Sequence, residues 1–179
     1  EMTQTQVSIV SKEIESGDIS IELDKSLTVG NEGYTLDIDD SVTVKAPEEK
    51  GLLYAGATLS QMFMDNQNLL LPKGLMRDYP QYQVRSTMLD VARFYMPLDY
   101  LEEITKYAAF FKLNEIHVHI NDDGGEQSTA FRVESKKYPA INSGIPADEV
   151  YSQEDYKEYQ KEVYQYGVEV VTKIDTPAH

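Results

Sequence analysis

One short stretch, residues 115–125, constrains the fold of this chain more than any other. Its sequence is EIHVHINDDGG. Ile116, Val118 and Ile120 alternate with polar residues, and a period of two places the two sets on opposite faces of a strand. Acidic residues at 122–123 then follow the carboxyl end of that strand, where parallel α/β folds place their chemistry. The stretch therefore predicts a parallel strand that leads into a functional site.

The composition is that of a globular chain with an acidic bias. Of 179 residues, 41% are hydrophobic, 31 are acidic and 16 are basic, which gives a formal net charge of -15. This charge argues against a nucleic-acid partner and against anionic membrane surfaces, because both require a basic surface. There is no cysteine, which excludes disulfides and thiolate metal sites. No apolar stretch is long enough for membrane insertion.

Residues 1–80 are predicted to form a small α+β domain. Three segments alternate apolar and polar residues and are predicted strands: 18–23, 34–38 and 42–44. Residues 54–66 carry helix formers with an apolar stripe, which predicts one helix. Pro72 and Gly74 interrupt this pattern, and the domain is predicted to end near Pro80.

Residues 81–179 show the order strand, helix, strand, helix, strand. The strands are predicted over 84–91, from 115 onward and over 168–174. The first helix is predicted to begin at Pro97 and to stop at Asn114. The second should begin at a capping box formed by Ser152 and Asp155 and end at Gly167. Its predicted buried stripe is Tyr156, Tyr159, Val163 and Tyr166. This order implies parallel strand pairing through crossover helices.

Polar groups cluster at or near the ends of these predicted strands. The clusters are Arg85, Asp90 with Arg93, Asp122 with Asp123, and Asp175 with His179. Several have ordinary structural interpretations: Asp90 and Arg93 fit an ion pair, and inward-facing histidines are commonly hydrogen-bonded core residues. Consecutive parallel strands nevertheless bring Asp122 and His179 to the same edge, and a carboxylate that orients a histidine is a recurrent way to tune a proton donor.

Longer segments resemble glycoside hydrolase family 20, the β-N-acetylhexosaminidases. Residues 85–93 (RSTMLDVAR) resemble the first barrel strand of the family, and residues 117–123 (HVHINDD) resemble its second-strand motif. Further similar segments are the loop at 136–139, the helix start at 151–155, the third strand at 168–179 and the domain before Pro80. The resemblance covers nearly the whole chain, with its motifs in the family's order.

The resemblance implies a fold and an activity. Residues 81–179 would form the first three β/α units of a (β/α)8 TIM barrel, truncated after the third strand. The enzyme would release terminal β-linked N-acetylhexosamine, or lacto-N-biose, by substrate-assisted catalysis in which the sugar's 2-acetamido oxygen attacks the anomeric carbon. Arg85 would bind ring hydroxyls of the sugar, and Asp122 and His179 would support the catalytic acid. Barrel geometry alone favours Asp90 or Arg93 over Arg85, because they lie nearer the carboxyl end of their strand.

Further expectations concern partners, location and activity. The substrate implied is an oligosaccharide or glycoconjugate with terminal β-N-acetylhexosamine, no cofactor or metal is implied, and the location is extracellular or cell-surface. The family's adjacent Asp–Glu acid/base pair has no counterpart in these residues, and there is no tryptophan to wall a sugar pocket. The chain alone is therefore expected to be inactive. Its open sheet edges are expected to cause self-association.

Two other functions are alternatives. In a metal-dependent amidohydrolase, His117 and His119 would bind zinc, with His179 and Asp122 nearby. A non-catalytic carbohydrate-binding module would fit the missing acid/base pair.

Overall fold

The computed structural model describes residues 13–65, 70–122 and 131–176. The chain divides into two compact units, with the division between Gln83 and Val84. Among the described residues, no helix combines the length and the hydropathy needed to cross a membrane.

In its described residues, the first unit is a four-stranded sheet covered by one helix. Its elements are β1 (Ile19–Leu23), β2 (Tyr34–Ile38), β3 (Val42–Ala46), α1 (Glu49–Asp65) and β4 (Gly74–Asp78). The strand order is β1-β3-β2-β4, with β1 parallel to β3 and the other pairs antiparallel. The alternating apolar residues of β2 and β3 form the buried face, as their period of two predicts.

The core of this unit lies between α1 and the two central strands. Its buried residues are Tyr34, Leu36, Ile38, Val42, Val44, Ala46, Tyr54, Ala55 and Leu59. The buried hydroxyl of Tyr34 has two hydrogen-bond partners. It donates to Asp78 Oδ2 at 2.6 Å and shares a 2.6 Å hydrogen bond with Thr58 Oγ1.

Two features of the first unit differ from the sequence expectations. The helix begins at Glu49 rather than at residue 54. Gly51 in its first turn is a poor helix former and has no side chain to extend the apolar stripe, although the residue is buried. Strand β4 was not predicted. Four of its five residues are exposed, so burial imposes no apolar alternation on them, and the strand is held by antiparallel pairing with β2.

The second unit confirms the predicted strand–helix–strand–helix–strand order. Its elements are β5 (Ser86–Asp90), α2 (Leu98–Phe110), β6 (Glu115–His119), α3 (Gln153–Tyr164) and β7 (Glu169–Lys173). Two short 3₁₀ helices, Pro139–Asn142 and Ala147–Glu149, precede α3. The strands are parallel in the order β5-β6-β7.

The two helices of this unit and the apolar face of β6 form one core. Its buried members include Leu101 and Ala108 from α2, Ile116 and Val118 from β6, and Tyr156, Tyr159 and Val163 from α3. The predicted start of α3 at Ser152 is confirmed, with one half of the capping box present: Ser152 Oγ accepts from the backbone N–H of Asp155 at 3.0 Å, whereas Asp155 Oδ2 accepts from the Ser152 hydroxyl. Gly167 has φ +76°, a conformation that glycine adopts without a steric penalty.

Two predicted helix details are wrong. Tyr166 is not part of the buried stripe, because α3 ends at Tyr164 and the Tyr166 ring is exposed, with Lys106 Nζ 5.4 Å from its centroid. Asn114 does not stop α2, which ends four residues earlier. Its Oδ1 instead accepts from the backbone N–H of Arg85 at 2.8 Å and so joins β5 to β6.

Two glycines of α1 give a matched pair of stability predictions. A Cβ at Gly51 would lie 2.3 Å from the carbonyl oxygen of Gly33 and 2.8 Å from Cβ of Ala46, whereas a Cβ at Gly56 would meet nothing within 4 Å. Gly51→Ala should therefore lower the free energy of unfolding by about 1–3 kcal/mol. Gly56→Ala should raise it by about 0.5–1 kcal/mol, because alanine is the better helix former. Urea unfolding of both variants measures this, and an equal gain from both would contradict the close packing at Gly51.

Candidate active site

The register of the parallel sheet places three polar side chains in one row. Asp90 pairs with His119, and His119 pairs with Lys173, at the last position of each strand. Asp122 and Asp175 follow within three residues of these ends. The carboxyl edge of the sheet is therefore a row of ionisable groups, at the place where parallel α/β folds put functional residues.

Asp122 is the centre of this row. Its side chain is only 2% exposed, and so is that of His119. One oxygen, Oδ2, lies 2.8 Å from His119 Nε2 and 2.5 Å from Arg93 Nη2. A buried carboxylate is strongly disfavoured unless it is paired and hydrogen-bonded, so these two partners are what allow Asp122 to occupy the position.

Arg93 connects Asp122 to the turn that follows β5. Its Nη1 donates to Asp90 Oδ2 at 2.6 Å. The backbone N–H groups of Ala92 and Arg93 both donate to Asp90 Oδ1, at 3.1 and 3.0 Å. The predicted Asp90–Arg93 ion pair is therefore present, and the same guanidinium also binds the buried Asp122.

These contacts shift the pKa values of Asp90 and Arg93. Partial burial of Asp90 acts to raise its pKa, but the N–H of Arg93, the guanidinium hydrogen bond and its positive charge outweigh burial. The net result is a lowered pKa for Asp90. In return, the hydrogen bond to Asp90 raises the pKa of Arg93.

The second ring nitrogen of His119 faces a cation. Lys173 Nζ lies 3.4 Å from His119 Nδ1 and 3.0 Å from Asp175 Oδ1. Asp175 Oδ2 also lies 3.9 Å from His119 Nε2. Because an ammonium can only donate, Nδ1 is placed to accept and Nε2 to donate its hydrogen to Asp122. The neighbours of His119 thus favour one tautomer and one ring orientation.

The side chain of Asn121 extends the sheet beyond the last strand residues. Its Nδ2 donates to the carbonyl of Asp175 at 2.9 Å, and its Oδ1 accepts from the N–H of Asp175 at 3.0 Å. These two reciprocal hydrogen bonds resemble those between paired β-strands, and they fix Asp175 beside His119.

The predicted site residues fall in different places. Asp122 lies at the centre of the site, whereas Arg85 precedes β5, at the opposite end of the sheet. A five-residue strand spans about 16 Å, which exceeds the reach of an arginine side chain. The Nε of Arg85 donates to the carbonyl of Lys112 at 2.8 Å, at that same amino-terminal end. The structure therefore brings Arg93, and not Arg85, to Asp122. His179 and Asp123 lie outside the described residues.

The metal-site alternative required His117 and His119 to act together. His117 Nε2 instead lies 3.1 Å from Glu115 Oε2, and His119 is engaged with Asp122. Within the described ranges, the ligand-like group of three is Asp90, His119 and Asp122. The guanidinium of Arg93 binds the carboxylates of Asp90 and Asp122, so both carboxylates are already paired with a positive charge.

The sequence patterns assign no role to two residues of the site. Lys173 ends β7 beside His119, and Asn121 fixes Asp175. The signal for Lys173 was its position at the end of a predicted strand, but its partner depends on the register between strands.

Comparison with known proteins identifies a family. A model of the glycosyl hydrolase family 20 catalytic domain matches residues 82–179, and a model of domain 2 of that family matches residues 1–79. The chain is 30% identical over 187 residues to a β-hexosaminidase of Vibrio furnissii, covering 93% of this chain and 30% of that protein.

Solved structures show the same similarity. An N-acetyl-β-hexosaminidase of Streptomyces plicatus, in complex with Thio-NAglucal, matches with a TM-score of 0.77 and 27% identity, over 93% of this chain and 35% of that one. A β-N-acetylhexosaminidase of Bacteroides fragilis matches with a TM-score of 0.76 and 28% identity, over 90% of this chain and 34% of that one. The fold is therefore mixed α/β like these structures, and this chain spans about a third of their length.

The Arg93–Asp90 contact predicts a measurable titration. Arg93→Met keeps the apolar stem but removes the hydrogen bond and the charge, so the pKa of Asp90 should rise from its lowered value toward or above the ordinary 3.8. In the wild type the lowered pKa contributes stability above pH 4, which is lost as the pH falls below 3.8. The stability gap between wild type and variant should close in that same acidic range.

Carboxyl ¹³C NMR of Asp90 in this chain measures the shift. Lys106→Met is the matched control, because Lys106 pairs with Glu102 on α2 and should leave Asp90 unchanged. An Asp90 pKa that is the same in Arg93→Met and in the wild type would show that the contact does not act in solution.

Proposed function

The chain belongs to glycosyl hydrolase family 20, and from this we propose that it is part of a glycosidase that releases terminal β-linked N-acetylhexosamine. The observation that carries the proposal is the buried Asp122, held by His119 and Arg93 at the carboxyl edge of a parallel sheet. The family matches and the named hexosaminidases support the same reaction class.

We propose that the second unit is the first part of a (β/α)8 barrel. Three parallel strands connected by two helices, with the apolar residues of β6 under those helices, are the repeating unit of that fold. In a closed barrel the opposite face of β6, which carries His117 and His119, would face the barrel axis. The polar edge formed by Asp90, His119 and Lys173 would then belong to the catalytic end.

The proposed reaction is substrate-assisted. The 2-acetamido oxygen of the sugar attacks the anomeric carbon as the glycosidic C–O bond breaks and the leaving oxygen takes a proton, and water then opens the cyclic intermediate. The protein therefore supplies a proton donor and groups that stabilise charge, but no nucleophile. Asp122 is suited to a supporting role. Its carboxylate orients His119 and Arg93, and its negative charge acts strongly because the side chain is buried.

Arg93 is the better candidate than Arg85 for binding the sugar. Its side chain is 47% exposed although two of its N–H groups bind Asp90 and Asp122. A guanidinium has five N–H donors, so it can bind both carboxylates and still donate to a sugar hydroxyl at the open side of the site. Arg85 lies at the other end of the sheet, where it contacts Asn114 and Lys112, and its binding of the sugar stays a prediction.

Several finer expectations stay predictions. They are the role of His179 beside the catalytic acid, release of lacto-N-biose rather than a single sugar, an extracellular or cell-surface location, self-association through sheet edges, and inactivity of the chain alone. No observation in the described residues favours the amidohydrolase or the non-catalytic module over the glycosidase.

The proposal predicts the effect of Asp122→Asn in a full-length family protein that contains this chain. The amide removes the charge that pairs with Arg93 and His119, so kcat on a chromogenic N-acetylglucosaminide should fall about 10²-fold or more. The acidic limb of the pH–rate profile should also shift, because the charge environment of the proton donor changes.

Asp148→Asn is the matched control, since Asp148 is an exposed carboxylate on a short helix of the same unit. It should leave the rate and the profile unchanged. Equal rates and profiles for Asp122→Asn and Asp148→Asn would reject the role of Asp122. Absence of hydrolysis by the full-length wild type would reject the proposed reaction.

A further inference from the structure

Arg132 is a buried arginine outside the group formed by Asp90, Arg93, His119 and Asp122. Its side chain is 3% exposed. It forms an ion pair with Glu149, through Nη1 and Oε2 at 2.8 Å, and its guanidinium carbon lies 5.4 Å from the ring centroid of Tyr95. Burial of a guanidinium is costly unless its N–H groups are hydrogen-bonded.

Arg132 also binds backbone carbonyls in the turn between Asp90 and Arg93. Nε donates to the carbonyl of Val91 at 2.7 Å, and Nη2 donates to the carbonyl of Ala92 at 3.3 Å. These are the two residues that separate the paired side chains of the turn. The fork of one guanidinium therefore binds two consecutive peptide groups, a geometry that an ammonium cannot reproduce.

The N–H groups of the same turn are hydrogen-bonded to the sheet and to Asp90. The N–H groups of Val91 and Ala92 donate to the carbonyl of His119 at 3.1 and 3.2 Å. Asp90 Oδ1 accepts from the N–H groups of Ala92 and Arg93. The turn is thus fixed through its N–H groups by the sheet and through its carbonyls by Arg132.

The backbone of Arg132 is itself fixed near the site. Its N–H donates to the carbonyl of Ile120 at 2.8 Å, and its carbonyl accepts from the N–H of Tyr151 at 2.8 Å. Ile120 is two residues before Asp122. Arg132 therefore links the segment that carries Asp122 to the turn that carries Arg93.

We propose that Arg132 is a positioning residue, which holds the Val91–Ala92 carbonyls so that the guanidinium of Arg93 meets Asp90 and Asp122. The effect on catalysis rests on the proposed glycosidase function, whereas the effect on the turn does not. If Arg132 only stabilised the segment that contains Glu149, its ion pair with Glu149 would be the contact that matters. Substitutions at Arg132 and at Glu149 can therefore separate this stabilising role from the positioning of the turn.

The test compares Arg132→Lys with Glu149→Gln in this chain. Lysine keeps the positive charge but not the fork, so any change at Asp90 has to come through geometry rather than through lost charge. Glutamine keeps an acceptor for Arg132 and leaves the carbonyl contacts in place. The readout is the carboxyl ¹³C titration of Asp90. The charged and titratable groups that face Asp90 are Arg93 and His119, and those around these two partners are Asp122 and Asp175.

Arg132→Lys should raise the pKa of Asp90, and Glu149→Gln should leave it at the wild-type value. An unchanged pKa in Arg132→Lys would overturn the proposal. An equal rise in both variants would overturn it too, because it would show that the ion pair with Glu149 is what matters. If Arg132→Lys does not fold, the wild type still provides a test: a through-hydrogen-bond NMR coupling between Arg132 Nε–H and the Val91 carbonyl is expected, and its absence would overturn the proposal.

Kinetics of a full-length protein that contains this chain test the catalytic part. Arg132→Lys should lower kcat/KM about tenfold or more, because a small displacement of the turn moves Arg93 away from its productive position, while Glu149→Gln stays near the wild type. Full kcat/KM in Arg132→Lys would overturn the catalytic part. Failure of the wild type to hydrolyse hexosaminides would reject the proposed function, and the Asp90 titration would still decide whether Arg132 positions the turn.

Discussion

The buried carboxylate of Asp122 is the constraint on which the rest of this site depends. A charge at 2% exposure persists only with partners, and removing one partner of a buried pair typically costs about 3–5 kcal/mol. His119 and Arg93 are those partners, and they come from a strand end and from the turn after a neighbouring strand. The parallel register of β5 and β6 is what brings the two into reach of one oxygen atom. Fold and site are therefore linked, because the sheet supplies the geometry that makes the buried charge tolerable.

Backbone groups around the site are held as firmly as the side chains. The carbonyl of His119 accepts from two N–H groups of the turn after β5, and Asn121 pairs with both backbone groups of Asp175. Irregular backbone next to a sheet needs such partners, because a buried peptide group without one is costly. Each contact also fixes the position of a functional side chain. The same hydrogen bonds therefore pair the backbone N–H and C=O groups and preorganise the site.

The sequence predicted the elements of the second unit better than the partners of its side chains. Alternation along residues 116–120 was enough to predict a strand with one buried face, and Ser152 was enough to predict where α3 begins. The partner of Lys173 could not be predicted, because the register of parallel strands is set by long crossovers and not by adjacent residues. Arg93 rather than Arg85 meets Asp122, as the shared carboxyl edge of parallel strands indicates, but the contact of both Arg93 and His119 with one oxygen of Asp122 could not be predicted. Strand β4 escaped prediction because its mostly exposed residues carry no apolar pattern.

A double-mutant cycle between Arg93 and Asp122 tests the central claim most directly. The measurement is kcat/KM of a full-length protein containing this chain, for Arg93→Met, Asp122→Asn and the double variant. If the two groups act as one unit, each single variant already loses the pair, and the double variant should be little worse than the poorer single variant. Losses that multiply in the double variant would show that Arg93 and Asp122 act independently, and this would contradict the account.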